Sequence, residues 1–183
     1  MEKQRTLIFD IRPFYVVAVR STPSPTLSKE IILNVNGMEH ELIVESRTTL
    51  AEALRINLGL TGTKLGCNRA MCGSCTVIAD GLPIFSCTTL AVETQGKSIQ
   101  TIEGLEKNGK LDPLQVSFIE EDAVQCGICI PGMIMSSKAL LDKCDNPTEE
   151  EVMDAIAGNL CRCGTYPNTI KAVLAAAKMG YGR

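Results

Sequence analysis

The chain has 183 residues, a formal net charge of −3 and an apolar fraction of 45%, which allow one domain or two small ones with a packed core. The charge balance and the lack of a basic run interleaved with aromatic residues argue against nucleic acid as a partner. No apolar run approaches the roughly 20 residues that span a bilayer. Asp10, Arg12 and Arg20 interrupt the first segment, so it is no convincing signal peptide. We therefore expect a cytoplasmic protein with reduced cysteines.

Residues 1–29 are predicted to form an N-terminal extension. Residues 6–20 within it are rich in β-forming side chains, and a Pro- and Ser-rich linker follows at residues 21–25. Two interpretations stay open for this extension. It is either a poorly ordered tail, or a strand or arm that lies on a partner subunit.

Residues 30–105 are predicted to form a domain of mixed strands and helix. Asn36-Gly37 and Asp80-Gly81 each favour a hairpin turn between short apolar runs. A helix capped by Thr48 or Thr49 is expected between the hairpins, and a later strand should include Ile99 and Ile102. The elements in order are strands at 31–35 and 41–44, a helix at 49–58, and strands at 76–79 and 82–86. This order predicts a β-grasp sheet of the ferredoxin kind.

Residues 106–183 are predicted to be mostly helical. Helices are expected at 114–121, from Pro131, from a capping box at Thr148, and after Pro167. In the third of these, Val152, Ile156 and Leu160 recur every four residues. Four short helices in two pairs, with cysteines between the members of each pair, indicate a small bundle. The whole chain is thus predicted to have an α+β fold.

Eight of the nine cysteines fall into two sets of four. The first set has the C-x4-C-x2-C-x11-C spacing of a plant-type [2Fe–2S] site and consists of Cys67, Cys72, Cys75 and Cys87. The predicted hairpin turning at Asp80-Gly81 would carry the last of these back beside the third. A structural zinc site is the alternative, but zinc sites favour two C-x2-C-like pairs. The spacing therefore favours iron–sulfur.

The second set combines C-x2-C and C-x-C across a gap of 31 residues and consists of Cys126, Cys129, Cys161 and Cys163. This spacing alone fits zinc or a cluster. Each cysteine group is expected beside a helix end, where a helix N-terminus stabilises thiolate charge. Cys144 is left over and is interpreted as an inert small residue. The sole histidine, His40, is interpreted as a surface residue.

Several stretches carry a resemblance to a known family. They are residues 66–77, 80–81 with 86–87, 101–105, 123–133, 146–148 and 158–167, and they include all eight paired cysteines. The chain resembles the small iron–sulfur subunit of the molybdenum hydroxylases, the xanthine oxidase family. This resemblance implies two [2Fe–2S] clusters, one in a ferredoxin-like domain at 30–105 and one in a C-terminal four-helix [2Fe–2S]-binding domain at 106–183.

The resemblance also implies partners and a direction of electron flow. A large subunit would bind the molybdopterin cofactor and carry out the substrate chemistry, and a medium subunit would bind FAD. Electrons would pass from molybdenum to the C-terminal cluster, then to the N-terminal cluster and commonly to the flavin. Gln125 and Cys163 would lie against the pterin.

The loop of the first set departs from the family pattern. Asn68 and Ala70 stand where the family usually has glycine. Asn tolerates the left-handed conformation, so Asn68 is a mild change. Arg69 places a cation beside the first set, and we hypothesise that it raises the reduction potential of the N-terminal cluster.

The leading functional prediction is an electron-transfer subunit of a molybdopterin-dependent hydroxylase or dehydrogenase complex. The chain shows no nucleotide-binding G-x-G-x-x-G after a strand, so the catalytic site is expected on another chain. Two alternatives stay open: a stand-alone two-cluster ferredoxin, and a zinc-stabilised interaction module without redox function. Exposed apolar surface around Ile128, Ile130 and Met133 would favour a permanent partner.

Overall fold

A computed structural model describes residues 27–181, and the predicted strand or arm at 6–20 lies outside them. Within this range the N-terminal half contains one five-stranded sheet of order β2-β1-β5-β3-β4. Its strands are β1 (Ser28–Val35), β2 (Met38–Glu45), β3 (Thr76–Ala79), β4 (Leu82–Phe85) and β5 (Ser98–Gln100). β1 and β5 pair in parallel, whereas β1–β2, β3–β4 and β3–β5 are antiparallel. The predicted β-grasp sheet is confirmed.

Both predicted hairpins form at the predicted turns. Asn36 and Gly37 have φ values of 54° and 81°, and Asp80 and Gly81 have values of 48° and 77°. Positive φ at both central residues gives a turn whose twist matches that of the flanking strands. The second hairpin sets the register of Thr76 opposite Phe85, which matters for the cysteines on either side of it.

Two predictions for the N-terminal half need correction. The predicted helix at 49–58 begins as α1 (Leu50–Glu52), with a capping box between Thr49 and Glu52, but continues as a π-helix over Ala53–Asn57. The Leu58 N–H donates to the Ala53 carbonyl, five residues back. Ile102 is not in a strand. The Thr101 N–H donates to Asn36 Oδ1 instead of a strand neighbour, so β5 ends and a 3₁₀ turn follows over Ile102–Gly104.

The C-terminal half contains the four predicted helices. They are α2 (Pro113–Glu120), α3 (Ile130–Leu141), α4 (Glu149–Ile156) and α5 (Tyr166–Lys178). The predicted capping box opens α4, where Thr148 accepts the Glu151 N–H and Glu151 accepts the Thr148 N–H. Leu160 is not part of α4 as the four-residue repeat predicted. The helix ends at Ile156, and the Leu160 side chain is 57% exposed.

Strand β3 lies between the two halves of the molecule. Because successive side chains of a strand point to opposite faces, Val77 and Ala79 enter the core beneath the sheet, whereas Ile78 enters the helical core. All four residues of β3 are buried. α3 packs across this strand, so the loops before β3 and before α3 are held close together. The boundary predicted near residue 105 stays a prediction.

Candidate metal-cluster sites

The loop that carries the first cysteine set folds around its own sulfur atoms. Cys67 Sγ accepts the backbone N–H of Met71 at 3.2 Å and that of Arg69 at 3.4 Å. Cys72 Sγ accepts the Cys67 N–H at 3.3 Å, and Cys87 Sγ accepts the Ala70 N–H at 3.4 Å. Backbone N–H groups that converge in this way stabilise anionic sulfur.

Left-handed backbone conformations make this convergence possible. Asn68, Ala70 and Gly73 have φ values of 52°, 56° and 67°. Asn68 and Ala70 are the two departures from the pattern of the family that the chain resembles, so the chain keeps the conformation without the residue that adopts it most readily. Asn is tolerated there, but for Ala the left-handed region costs about 1–2 kcal/mol. The structure thus places the sequence departure at a strained position.

The β3–β4 hairpin brings the last cysteine of the set back to the third. Ser86 donates its backbone N–H and its hydroxyl to the Cys75 carbonyl, at 3.3 Å and 2.7 Å. Cys75 and Cys87 are both buried and pack together against Ala51. The hairpin thus places Cys87 beside Cys75, as its spacing predicted. All four sulfur atoms of the first set lie at one end of the sheet.

The second cysteine set lies on two turns that each precede a helix. Cys126 and Cys129 flank Gly127, whose φ is 85°, and α3 begins at the next residue, Ile130. Cys161 and Cys163 occupy the turn between α4 and α5. Cys129 is buried and Cys161 half-buried, whereas Cys126 and Cys163 are exposed. One side of the second set therefore faces the interior and the other faces the surface.

Within each set the cysteines approach one another in pairs. Cys72 lies close enough to Cys67, Cys87 to Cys75, Cys161 to Cys129 and Cys126 to Cys163 to influence the pKa of the second-named thiol. Among residues 27–181, no three His, Cys, Asp or Glu side chains converge tightly enough to hold a single metal ion. A [2Fe–2S] cluster needs a different arrangement, in which each iron takes two thiolates. Two pairs per set fit that requirement.

The thiols of each set differ in acidity. Hydrogen bonds from the backbone N–H groups of Met71 and Arg69 lower the pKa of Cys67 to about 7. Burial raises the pKa of Cys161, but hydrogen bonds from the hydroxyl and N–H of Thr165 outweigh it and bring the pKa to about 7. Burial raises the pKa of Cys75 to about 11 and that of Cys129 to about 12. Iron binding at the buried thiols would therefore release their protons.

The loops of the two sets are hydrogen-bonded to each other. The Leu160 N–H donates to the Cys72 carbonyl at 2.9 Å, and the buried Asn159 amide donates to the Gly73 carbonyl at 2.9 Å. Asn159 Oδ1 in turn accepts the Ser136 hydroxyl of α3 at 2.8 Å. Since Leu160 precedes Cys161 directly, a short run of backbone connects a cysteine of one set to a cysteine of the other.

Two glycines permit this close approach. A Cβ on residue 73 would lie 2.6 Å from Asn159 Nδ2 and even closer to the Gly158 carbonyl oxygen. A Cβ on residue 132, in α3, would clash with the Gly73 carbonyl oxygen. We refer to Gly73, Gly132, Asn159 and Leu160 as the inter-loop seam. Its backbones are closer than any side chain at residue 73 or 132 would allow.

A cleft of about 520 Å³ adjoins both cysteine sets. It is lined by Cys67 and Cys72 of the first set, by Cys126, Cys129 and Cys161 of the second, and by Ile128, Leu160 and Tyr166. Of the three residues whose exposure would favour a permanent partner, Ile128 is 49% exposed, whereas Ile130 and Met133 are 7% and 0% exposed and belong to the helical core. Leu160, Ile128 and Val124 are exposed apolar side chains close in the chain to cysteines of the second set.

Gln125 lies on the exposed side of the second set. Its Nε2 approaches the Cys163 carbonyl at 3.5 Å, the limit of a hydrogen bond, and both residues are exposed. The two residues that the resemblance assigned to pterin contact are therefore neighbours on one surface. Cys144 is half-buried at the end of α3, away from both sets, and His40 is on β2.

Comparison with known protein families covers both halves of the chain. A family described as a 2Fe-2S iron-sulfur cluster binding domain matches residues 33–100, and one described as a [2Fe-2S] binding domain matches residues 101–174. The nicotine 6-hydroxylase small subunit of Paenarthrobacter nicotinovorans is 47% identical over 156 residues, which cover 85% of this chain and 94% of that protein. The chain belongs to the family of iron–sulfur small subunits of the molybdenum hydroxylases.

Other members of the family agree with this. The aldehyde oxidoreductase iron-sulfur-binding subunit of Escherichia coli (strain K12) is 42% identical over 175 residues, covering 86% of this chain and 76% of that protein. In a crystal structure of quinoline 2-oxidoreductase from Pseudomonas putida 86, a chain 44% identical to this one matches with a TM-score of 0.81, over 84% of this chain and 96% of that one. The predicted ferredoxin-like domain followed by a four-helix [2Fe–2S]-binding domain is confirmed.

Three residues beside the cysteines received no role from the sequence. They are Asn159 in the seam, Thr165, whose hydroxyl lies 3.1 Å from Cys161 Sγ, and Tyr166, whose hydroxyl accepts the Cys161 N–H and donates to the Asn159 carbonyl. For a fourth residue, Gly132, the sequence did contain a signal. Glycine lowers the stability of a helix, so its presence in the first turn of α3 indicates a close packing contact. The sequence contained no such signal for Thr165, because a threonine before a helix ordinarily caps that helix.

Replacing Ala70 with glycine should stabilise the protein. The substitution removes the left-handed strain of about 1–2 kcal/mol, and the greater freedom of glycine in the unfolded chain offsets about 0.5–1 kcal/mol. We expect a net gain of roughly 0.5–1 kcal/mol, visible as a higher melting temperature in calorimetry. The control is Ala157→Gly, at φ −56° on the end of α4, which should lower the melting temperature. A lower melting temperature for Ala70→Gly would show that residue 70 carries no strain.

Proposed function

We propose that this chain relays electrons within a molybdopterin-dependent hydroxylase or dehydrogenase complex. The observation that carries this proposal is the pairing of eight cysteines, two by two, in two sets whose loops are hydrogen-bonded across the inter-loop seam. The relatives named above support it, since each is the small or iron–sulfur subunit of a hydroxylase or oxidoreductase.

Each cysteine set would hold one [2Fe–2S] cluster. The pairs Cys67 with Cys72 and Cys75 with Cys87 would each bind one iron of the N-terminal cluster. The pairs Cys126 with Cys163 and Cys129 with Cys161 would do so for the C-terminal cluster. Each cluster, when bound, takes up and releases one electron at a time. The chain supplies the thiolates, and its backbone N–H groups stabilise the negative charge.

The positions of the two sets suggest the order of transfer. Cys126, Cys163 and Gln125 lie on an exposed surface, where a pterin held by a partner could contact them. The other pair of the second set, Cys129 and Cys161, faces the interior and the seam. We therefore propose that electrons enter at the exposed side of the C-terminal set, cross the seam and leave from the N-terminal set.

The proposed partners are a large subunit that binds the molybdopterin cofactor and a medium subunit that binds FAD. Among residues 27–181, no helix is both long and apolar enough to cross a membrane. We place the complex in the cytoplasm, which agrees with nine free cysteines and no disulfide. A stand-alone ferredoxin is not favoured, because the matched relatives are subunits of larger enzymes.

Affinity purification of the tagged chain from its native host tests the relay function. A large subunit carrying molybdopterin should be recovered with it in stoichiometric amount, and mass analysis of the native complex should identify it. Mass analysis also decides whether a flavin subunit is present. Recovery of a monomer that holds both clusters would instead support an independent ferredoxin.

Replacing Arg69 with alanine should lower the reduction potential of the N-terminal cluster. Arg69 is exposed on the loop of the first set, and its backbone N–H donates to Cys67 Sγ. A nearby positive charge favours the more negative, reduced cluster. The shift should be modest and should shrink with added salt, since the guanidinium is hydrated. A redox titration followed by EPR measures it, with Arg47→Ala, in the turn between β2 and α1, as a control for net charge. An unchanged potential in Arg69→Ala would contradict this role.

A further inference from the structure

The hydroxyl of Thr165 is directed at a sulfur atom of the second set. Thr165 Oγ1 lies 3.1 Å from Cys161 Sγ, and the Thr165 backbone N–H also reaches this sulfur, at 3.4 Å. A thiolate that binds iron has no proton to donate, so in the loaded protein the hydroxyl must be the donor. Thr165 is only 3% exposed, so water does not compete for the hydroxyl.

Four of the five α-helices in residues 27–181 follow a Thr or Asp, and α5 is the one of these four that this residue does not cap; α3 follows Cys129, which makes no cap either. Thr49, Asp112 and Thr148 precede α1, α2 and α4, and each caps its helix through a complete capping box. Thr165 precedes α5 but makes no capping bond with its side chain. A missing cap of this kind typically costs about 1 kcal/mol. The Thr165 hydroxyl therefore contacts Cys161 Sγ and does not cap α5.

Hydroxyls near the first set are placed differently. The Ser74 hydroxyl lies 3.5 Å from Cys72 Sγ, and the Ser86 hydroxyl, which also interacts with the Cys75 thiol, donates to the Cys75 carbonyl at 2.7 Å. The 3.1 Å approach of Thr165 to Cys161 Sγ is shorter than that of Ser74 to Cys72 Sγ. Thr165 also acts on Cys161, the cysteine that adjoins the inter-loop seam through Leu160.

We propose that Thr165 tunes the C-terminal cluster, by donating its hydroxyl to the Cys161 thiolate and so raising the reduction potential of that cluster. A donor to a cluster sulfur stabilises the reduced state more than the oxidised state, because the sulfur carries more negative charge after reduction. Thr165 thereby sets the driving force for electron entry and for transfer across the seam. This inference rests on the proposed function, since it requires a [2Fe–2S] cluster at the second set.

Thr165→Val tests the proposal because valine keeps the shape of threonine and lacks the hydroxyl. EPR-monitored redox titration of the intact complex should show a lower potential for the C-terminal cluster and an unchanged potential for the N-terminal one. Thr165→Ser keeps a hydroxyl and should restore most of the potential. The matched control is Thr169→Val, on the same helix, whose buried hydroxyl faces Met133 Sδ at 3.8 Å and should shift neither potential.

The outcomes separate this proposal from the relay function. Absence of a C-terminal cluster signal in the unaltered protein would contradict the relay function itself. A full signal with an unchanged potential in Thr165→Val would overturn only the role of Thr165. If Thr165→Val assembles too little cluster, Thr165→Ala replaces it, with the same lowered potential expected. Loss of the cluster in both variants, with Thr165→Ser intact, would assign the hydroxyl to cluster assembly and overturn the tuning role.

Discussion

Replacing Cys161 with alanine should remove the C-terminal cluster and leave the N-terminal cluster in place. The substitution deprives the Cys129–Cys161 pair of one thiolate, so one iron loses half of its protein ligands. The first set should survive because its contacts to the seam use the backbone of Leu160 and the side chain of Asn159, which the substitution does not remove. Iron and acid-labile sulfide should fall by about half, and one of two EPR signals should disappear.

Cys144→Ala is the matched control for this experiment. Cys144 is half-buried and belongs to neither set, so both signals should persist when it is replaced. In the complete complex, Cys161→Ala should also prevent substrate from reducing the N-terminal cluster, while dithionite still reduces it. Retention of both signals in Cys161→Ala would show that Cys161 is not a ligand. Loss of both would show that the first set depends on the second for its assembly.

Replacing Gly73 with alanine should destabilise the protein strongly and perturb both clusters. A left-handed alanine costs about 1–2 kcal/mol, and overpacking against rigid backbone adds about 1–3 kcal/mol. The clash is severe because the added Cβ meets the Gly158 carbonyl, which is backbone, and the Asn159 side-chain amide, which hydrogen bonds to Gly73 and Ser136 hold in place. Thermal unfolding of the loaded protein should show a large drop in melting temperature, and transfer between the clusters should slow.

Gly81→Ala isolates the steric part of this effect. Gly81 has φ 77°, similar to the 67° of Gly73, but a Cβ at residue 81 would meet no atom within 4 Å. It should therefore cost only the left-handed strain, about 1–2 kcal/mol, and leave both EPR signals unchanged. Equal destabilisation by the two substitutions would mean that the inter-loop seam is not as tightly packed as the structure indicates.

The features that could be predicted from the sequence are those set by residues close together in the chain. Asn36-Gly37 and Asp80-Gly81 specify their own turns, and the spacing of Cys75 and Cys87 follows from the hairpin between them. The capping box at Thr148 was also predictable from the sequence, because both of its hydrogen bonds join residues three positions apart. The order of strands and helices followed from these signals, and with it the β-grasp sheet and the four-helix half.

The errors arose where contacts distant in sequence override a local pattern. Ile102 continues an apolar strand pattern, yet the Asn36 side chain takes the N–H of Thr101 and ends the strand. Leu160 continues the repeat of α4, yet its N–H is bound by Cys72 of the other half. Met133 and Ile130 lie beside a cysteine pair, and both are buried because the first turn of α3 packs inward.

The site was predictable in its ligands and not in its surroundings. Cysteine spacing indicates which residues can bind iron, because the spacing reflects the loop that wraps the cluster. Cysteine spacing carries no information on Asn159. This residue joins the two loops by donating to the carbonyl of Gly73, which is 86 residues away in the chain. The spacing likewise cannot show that the Thr165 hydroxyl turns from its helix to Cys161, since both uses are compatible with the same residue at the same position.

The central claim is that eight cysteines in two sets hold two [2Fe–2S] clusters that relay electrons. EPR spectroscopy of the dithionite-reduced protein, combined with iron and acid-labile sulfide analysis, tests it most directly. We expect about four irons and four sulfides per chain, and two distinct [2Fe–2S] signals of which Cys161→Ala removes one. A colourless protein with zinc in place of iron and no EPR signal after reduction would contradict the account.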